Sequence, residues 1–537
     1  MAITKRNNYM IFVLLTYLAA LICRIFLYHF TSGIGMAYFA IANEIFMAIG
    51  GMCFYSIQEA TASLMKYRVR REQYKSAAKV FHGALLWGLI AGGVLAALMG
   101  ILGETIASCV YHVPHATLAI WGMVAAIPFE IEIGVLRGFF LGNNMRAPLV
   151  HSGILFVVAF GTAGCIGSYR LLLYGQNVSA LLRSDTFQYV YGAMGASVGL
   201  TIATILCFLY LFVLYLLFQS SLKKEMGREY QKTQDTRLHI FQMLLGTGGF
   251  YALSYFVFFS VKFLDQILFF VIGADGENRV SDYGNYYARC DSLSRIVLLL
   301  IICLFYPFLR KVLYFVEREE YRIARERLGI LLHKCVAVTC FCMTLLAVFA
   351  ENLLDILFAD SHNTAMAGWL QVNALAAVFL VFSFLFLCFL VRMKKGRMVL
   401  MVGGCSLLVH LVVMGILISS TGLGVMAIAI SNLVGSIVLA VMSFLMVSRS
   451  IQYHQEWIRN VAIPAVSAAA AGLLAMLLNR VLSGIMGELF SMLLGMVLAL
   501  MVYLTLLLVT RNFGEEELNN SFLGRGLIFL GKTFHLF

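Results

Sequence analysis

The residues of this sequence that are best suited to chemistry are charged side chains inside apolar runs. Arg24 lies in "LICRIFLYHF" (21–30), Lys262 and Asp265 lie in "VKFLDQ" (261–266), and Arg295 lies in the apolar run that follows. Leaving such a cation unpaired in hydrocarbon costs on the order of several kcal/mol, so it needs either a protein partner or a wet cavity. We predict that Arg24, Lys262 and Arg295 are the cations of an anion-binding cavity.

Two of these cations also have a purely structural interpretation. Arg24 lies about fifteen residues into its run, in the outer half of the bilayer, where a long side chain can reach the headgroups. Glu44, at a similar depth in the next run, is a candidate ion partner for Arg24. Lys262 and Asp265 are three positions apart, hence on one helix face, and can neutralise each other. The sequence leaves both interpretations open.

Carboxylates form a second group of candidates. Glu130 and Glu132 in "IPFEIEIG" (127–134) are two positions apart, so a helix points them to different sides. One that faces a cavity would carry a coupling proton or Na⁺, and Glu44 and Asp265 are further candidates for coupling or charge pairing. The alternative for Glu130 is a pair with Arg137, seven residues later.

Two charged residues lie near the inner ends of their runs and are candidates for an inner gate. These are Glu59 and Arg137. The alternative for Glu59 is an ion pair with a cation of the loop that follows.

The elements that position these residues are membrane-spanning helices. The chain has 537 residues, of which 61% are hydrophobic and 12% charged. A hydrocarbon core about 30 Å thick needs about 20 apolar residues per helix. We predict an all-α polytopic membrane protein with about fourteen transmembrane helices, at 9–31, 35–58, 80–102, 117–140, 147–169, 190–218, 239–272, 286–309, 328–350, 366–391, 398–419, 423–447, 461–479 and 488–510. The seventh is long enough to be tilted or broken.

Charge distribution predicts the orientation of these helices. Most of the 39 Lys and Arg residues fall at the N-terminus, in alternate loops and in the C-terminal tail. Positive residues mark the cytoplasmic side, so we predict cytoplasmic N- and C-termini in a cell membrane. The same rule accounts for the net charge of +12, so nucleic acid is not an expected partner. The basic loop 66–79 predicts contact with anionic membrane lipids; recruitment of a phosphate-bearing lipid substrate is the alternative.

The loops are too short to hold an enzymatic domain. The longest inside loops are 219–238 and 310–327, and the sequence has no P-loop, HExxH or GxSxG motif. The 12 Cys residues are scattered and mostly lie in apolar segments, which indicates packing rather than metal binding. We therefore expect neither an enzyme nor a bound cofactor, apart from a coupling ion.

A weak internal repeat suggests the domain organisation. "GAMGASVG" (192–199) resembles "GVMAIAIS" (424–431), and Arg24 has a counterpart in Lys262 at a similar offset. We predict an N-lobe at 1–218, a cytoplasmic linker at 219–238, a C-lobe at 239–447, two further helices at 448–510 and an amphipathic tail at 511–537.

Several stretches together resemble the multidrug/oligosaccharidyl-lipid/polysaccharide (MOP) exporter superfamily. They are "CRIFLYHFTSGIGMAYFAIANEIF", the basic segment "FYSIQEATASLMKYRVRREQYKSAAKVF", "LRGFFLGNNMRAPLVHSGI" (136–154) and "YGAMGASVGLTIA" (191–203). The acidic-then-apolar tail is similar to that of the stage V sporulation protein B branch. The order and spacing of these stretches, rather than any single motif, carry the resemblance.

The resemblance implies two six-helix lobes in a V around a central cavity that opens alternately to each face. In the polysaccharide and lipid II flippase branches, the substrates are glycans or peptidoglycan precursors on polyprenyl diphosphates, and cavity cations serve them. Arg24 matches such a cation in the first span, and Lys262 matches loosely. We therefore expect a flippase for a lipid-linked glycan, working beside envelope-synthesis enzymes. The alternatives are an ion-coupled multidrug antiporter of the same superfamily and a non-transporting scaffold of an envelope-synthesis complex.

Overall fold

The structure is a computed structural model that describes residues 2–227, 236–273, 278–358, 363–510 and 512. Throughout these residues the regular structure is helical. Twelve helices are long and apolar enough to cross a membrane, and a bent pair of helices adds a thirteenth. The first of them, Leu14–Val69, has 56 residues and is roughly 84 Å long at about 1.5 Å per residue. It therefore holds two of the predicted spans, and the predicted all-α polytopic fold is confirmed.

The chain divides into two compact units, one within Met1–Ala288 and Met414–Ile428 and the other within Arg289–Val413 and Ala429–Phe537. The first unit contains α1 (Ala2–Phe46), α2 (Met52–Val69), α3 (Tyr74–Thr105), α4 (Thr117–Val124), α5 (Ala126–Gly142), α6 (Ala147–Leu182), α7 (Thr186–Gly227), α8 (Arg237–Phe259), α9 (Val261–Ile272) and α10 (Arg279–Asn285). Short π-helical turns follow α1, α3 and α10, at Met47–Gly51, Ile106–Val110 and Tyr286–Asp291.

The second unit contains the remaining helices, apart from Met414–Ile428 at the end of one helix and the start of the next, which belongs to the first unit. They are α11 (Ser292–Glu317), α12 (Tyr321–Val348), α13 (Ala350–Phe358), α14 (Asn363–Arg392), α15 (Gly396–Thr421), α16 (Val425–Ile451), α17 (Ile463–Met486) and α18 (Glu488–Val509). A π-helical turn at Ile458–Ala462 precedes α17. The predicted lobe boundaries stay a prediction, and the predicted tail at 511–537 lies, except for Asn512, outside the described residues.

Three breaks interrupt the long helices of the first unit. Ser32 inside α1 has φ 55° and ψ −174°, a conformation that separates the first two predicted spans. Ser260 separates α8 from α9, so the seventh predicted span is broken. The pair α4 and α5 is bent by 43° at Ala125. Pro128 in the first turn of α5 has no N–H to continue the hydrogen-bond ladder from α4, which accounts for the bend.

Close helix contact in the first unit depends on a glycine stripe on α5. Gly134, Gly138 and Gly142 recur every four residues and therefore share one helix face, which lies against α2. A Cβ atom built on Gly138 would lie 2.7 Å from the carbonyl oxygen of Gln58. Small residues allow such backbone contact between membrane helices, so this stripe holds α5, with its three charged residues, against α2.

Aromatic side chains fill the core beside this contact. The rings of Phe81, Phe139 and Tyr215, from α3, α5 and α7, lie with centroids 4.6–5.2 Å apart. In the second unit, Phe341 of α12 stacks on Tyr503 of α18 at 4.7 Å, and the Tyr503 hydroxyl donates to the carbonyl of Ala337 at 2.8 Å. The two helices that end the described chain are thus packed into the core of the second unit.

We expect Gly138→Ala to lower the free energy of unfolding by about 1–3 kcal/mol, because the added methyl group overpacks the α2–α5 contact. Gly93→Ala on α3 is the matched control, since a Cβ there meets no atom within 4 Å. Thermal unfolding of both variants in the same detergent tests this. Equal midpoints for the two variants would contradict the close contact.

Candidate functional site

The cationic candidates of the first unit converge on one aromatic ring. Tyr287 lies in the π-helical turn Tyr286–Asp291 and is 3% exposed. The guanidinium carbon of Arg24 lies 4.5 Å from the centroid of this ring, and Nζ of Lys262 lies 5.0 Å from it. Both distances are within the range of cation–π attraction. The structure therefore brings together two of the three predicted cations, from α1 and α9.

Arg24 keeps unused hydrogen-bonding capacity at this ring. Its Nη2 donates to the Tyr287 hydroxyl at 3.4 Å, a long hydrogen bond. Its Nη1 is buried and has no hydrogen-bond partner among the described residues. A buried charged donor without an acceptor is costly, and a positive donor beside a second cation attracts an anion. We call Arg24, Asn43, Glu44, Lys262 and Tyr287 the Tyr287 cluster.

Polar residues after the break in α1 complete the Tyr287 cluster. The side-chain amide of Asn43 donates to the Tyr287 hydroxyl at 3.1 Å and to Oε1 of Glu44 at 3.3 Å. Glu44 is 7% exposed. Arg24 and Glu44, suggested by the sequence as an ion pair, are thus linked through Tyr287 and Asn43. The cluster therefore places the Glu44 carboxylate and the Asn43 amide beside the ring that Arg24 and Lys262 share.

The contact between α1 and α10 fixes the position of Tyr287. A Cβ on Gly284 would lie 1.8 Å from the carbonyl oxygen of Gly33, so the two backbones touch only because this residue is glycine. The Tyr28 hydroxyl donates to Oδ1 of Asn285 at 3.0 Å across the same contact. Tyr287 follows two residues after Asn285, and this contact therefore places its ring beside Arg24.

Asp265 and Arg295 have different surroundings. Asp265, on α9 with Lys262, is 2% exposed. Arg295 belongs to the second unit, where its Nε lies 2.9 Å from Oδ1 of Asp291, one helical turn earlier. The side chain of Arg295 is 56% exposed. The structure therefore shows Arg295 as a largely exposed cation in an ion pair with the buried Asp291.

The charged residues of α5 face different neighbours. Arg137 donates to Ser152 through Nε at 3.1 Å and to the carbonyl of Leu149 through Nη2 at 3.0 Å. Glu132 is 6% exposed, and its Oε1 has no hydrogen-bond partner among the described residues. Gly88 on α3 makes room for this carboxylate, because a Cβ there would lie 2.9 Å from Oε1. Glu130 is half-buried on another side of the helix.

The predicted inner-gate residue Glu59 has a local hydrogen bond. Its Oε1 accepts from Nε2 of Gln58 at 3.1 Å. Arg68, from the segment predicted as a basic loop, is 8% exposed and donates to Ser76 at 2.7 Å. Arg68, near the end of α2, is therefore held by Ser76 of α3 and by the carbonyl of Leu64 in its own helix.

Sequence reasoning missed three residues. Asn43 carries a signal, since "NE" (43–44) is a polar pair within an apolar run. Tyr287 carries none, because tyrosine is common at membrane interfaces and in cores. Arg289 is fully buried, and its guanidinium carbon lies 5.3 Å from the centroid of the Phe358 ring.

The fold is that of known membrane transporters. The structure of the lipid II flippase MurJ, in an inward closed conformation, matches with a TM-score of 0.63 and 14% identity, covering 93% of this chain and 97% of its own. A multidrug resistance MATE family transporter of the MOP superfamily, in an inward-facing conformation, matches with a TM-score of 0.61 and 15% identity, covering 82% and 94%.

A third structure of this fold belongs to a MOP superfamily transporter from Pyrococcus furiosus. It matches with a TM-score of 0.53 and 16% identity, covering 83% of this chain and 95% of its own. No protein-family profile matches the sequence, and no curated protein matches it. The comparisons therefore show a shared fold.

We expect Tyr287→Phe to lower the free energy of unfolding by about 1–3 kcal/mol. The substitution keeps the ring and both cation contacts but removes the hydroxyl that accepts from Arg24 and Asn43. Tyr174→Phe is the control, because Tyr174 is 55% exposed on α6. Thermal unfolding in detergent tests the difference. A variant as stable as the control would contradict the hydrogen-bonded cluster.

Proposed function

We propose that this protein is a flippase that moves a polyprenyl-diphosphate-linked glycan or peptidoglycan precursor across the cell membrane by alternating access. The observation that carries this proposal is the Tyr287 cluster. In this cluster Nη1 of Arg24 is buried and has no hydrogen-bond partner among the described residues, and Lys262 lies at the same ring. Both residues belong to apolar helices. Such a place favours an anion with several acceptor oxygens.

The chemistry of a diphosphate suits these two cations. The guanidinium of Arg24 offers a planar fork of donors that matches phosphate oxygens, while the ammonium of Lys262 acts as a compact point charge. In surroundings of low dielectric constant, each such attraction is stronger than in water. Tyr287 holds both cations on one ring, so their positions are prepared before the anion arrives.

The extent of the structural similarity supports the same proposal. The lipid II flippase matches over 93% of this chain, whereas the MATE family transporter matches over 82%. The fold is shared by both kinds of transporter, so the cations rather than the fold carry the choice of substrate class.

The orientation and the partners belong to this proposal. The basic residues of the inside loops would place both termini in the cytoplasm and attract anionic lipids to that face. The lipid tail of the substrate would stay in the bilayer while its headgroup passes the Tyr287 cluster. Envelope-synthesis enzymes would supply the substrate on one face and consume it on the other.

We expect Arg24→Ala to lose at least about tenfold of the bound substrate, since a hydrogen bond to a charged group is worth at least that factor. The measurement is native mass spectrometry of protein extracted gently from its own membrane, with a polyprenyl-diphosphate glycan as the expected ligand. Arg24→Lys should retain an intermediate amount, because it keeps the charge and loses the planar fork.

Arg170→Ala is the matched control, because Arg170 is an exposed cation on α6 of the same unit. Wild-type protein and this control should carry the same amount of ligand. An Arg24→Ala variant that inserts at normal abundance and keeps the ligand would overturn the proposed anion site.

A second candidate function is ion-coupled antiport of small molecules, and Glu132 is the observation that favours it. A carboxylate with an unpartnered oxygen against Gly88 is a suitable place to bind and release a proton. The similarity to the MATE family transporter fits this candidate.

For an antiporter we expect Glu132→Gln to abolish dye movement driven by an imposed proton gradient in proteoliposomes. The same variant should be at least as stable as wild type, because a neutral isostere removes the cost of burying a charge. Glu104→Gln, at an exposed position of α3, is the control. Wild-type protein that moves no dye would exclude this candidate for the dye tested.

A further inference from the structure

A polar cavity in the second unit lies apart from the Tyr287 cluster. It has a volume of about 240 Å³ and lies between the N-terminal half of α12, the segment that follows α16 and the π-helical turn before α17. By liquid volume, at ~30 Å³ each, it would hold roughly eight water molecules, which is enough for a small headgroup. Its lining includes the cations Arg325 and Arg459 and the carboxylates Glu326 and Glu456.

Asn512, three residues after the end of α18, forms hydrogen bonds with two walls of this cavity. Asn512 is fully buried, and its side-chain oxygen forms a hydrogen bond with His333 of α12. Its side-chain nitrogen donates to the carbonyl of Arg459 at 2.6 Å, and Nε of Arg459 donates back to the Asn512 carbonyl at 3.2 Å. Three elements are therefore fixed around the cavity.

The cation Arg325 of the lining is left with hydrogen-bonding capacity for a ligand. Arg325 makes one long hydrogen bond, from Nη1 to the carbonyl of Gln452 at 3.4 Å. Arg459 and Glu456 form a loose ion pair, with Nη1 and Oε2 4.0 Å apart. Asn460 is 7% exposed and lines the cavity. A guanidinium fork and an amide that converge on a cavity suit the oxygens of a phosphate group.

The charges of the lining balance. The lining has two arginines and two glutamates, of which Glu326 also lies 3.8 Å from Nε of Arg322 outside the lining. Tyr453 adds no charge, because burial, together with the nearby Glu456 carboxylate, raises its pKa. A lining with two charges of each sign suits a ligand that carries both a phosphate and an ammonium group. It is less suited to a phosphate with no cationic group, which the carboxylates would repel.

The surroundings indicate a lipid rather than a soluble ligand. Ile330 lines the cavity and is 40% exposed. Trp457 and Ile458, the two residues after the lining residue Glu456, are 57% and 76% exposed. Tryptophan is enriched at membrane–water interfaces, and exposed aliphatic side chains beside a polar cavity suit acyl chains.

We propose that this cavity binds the phosphoethanolamine headgroup of a membrane phospholipid, with the phosphate on Arg325 and Asn460 and the ammonium group on Glu456 and Glu326. The site is independent of the proposed transport function, because it is built from the second unit alone.

The test uses the full chain in nanodiscs with equal amounts of phosphatidylethanolamine, phosphatidylcholine and phosphatidylglycerol. Native mass spectrometry then measures the lipid retained after release. We expect the protein to retain phosphatidylethanolamine at least about tenfold more than either other lipid, because one hydrogen bond to a charged group contributes at least that factor. Arg325→Gln should remove retention, and Glu456→Gln should shift the preference toward phosphatidylglycerol.

Arg327→Gln is the matched control, since Arg327 is an exposed cation of α12 that does not line the cavity. It should retain lipid as wild type does. If Arg325→Gln fails to fold, Arg325→Lys serves, because it keeps the charge and loses the planar fork.

Equal retention of the three lipids, or equal loss in Arg325→Gln and Arg327→Gln, would overturn the proposal. A competition arm adds soluble phosphoethanolamine to the nanodiscs. Displacement of the retained lipid by this soluble ester at millimolar concentration would support the proposal, because the cavity would then be shown to recognise the headgroup itself.

Discussion

The cost of placing a guanidinium group among apolar helices is the constraint on which this structure depends. Arg24 lies in a segment with few other polar groups, and hydrocarbon supplies no hydrogen-bond acceptors. The protein meets this constraint in part: the ring and hydroxyl of Tyr287 contact the guanidinium, while Nη1 keeps no partner among the described residues. A site that satisfies its cation incompletely is ready for an anion, at the expense of folding stability.

Breaks in the helices lie close in sequence to the residues of this site. Ser32 interrupts α1 between Arg24 and Asn43, and Ser260 comes two residues before Lys262. Tyr287 lies in a π-helical turn, a form of helix that is frequent at functional sites. A straight helix presents side chains at fixed intervals on one face. Bringing Arg24, Asn43, Lys262 and Tyr287 together therefore requires breaks in the regular helices. Glycine at 284 makes the closest of these approaches sterically possible.

The Tyr287 cluster and the cavity near Asn512 suit different kinds of ligand. In the Tyr287 cluster two cations share one ring, and Nη1 of Arg24 has no hydrogen-bond partner among the described residues. In the cavity near Asn512, arginines and glutamates balance each other, and hydrogen bonds of the buried asparagine hold the walls. The first arrangement favours a strongly charged ligand that comes and goes. The second favours a zwitterionic ligand that is retained.

The sequence by itself determined the all-α membrane fold, because apolar runs of about 20 residues have few alternatives in a bilayer. It also pointed to Arg24 and Lys262, since charged residues inside such runs are rare and usually mark a functional site. Only the tertiary structure decided which residues meet. Tyr287 and Asn43 join Arg24 through the backbone contact of Gly33 with Gly284, and Arg289 is fully buried. These outcomes depend on helix breaks and on contacts between residues distant in the chain, which hydrophobic periodicity does not encode.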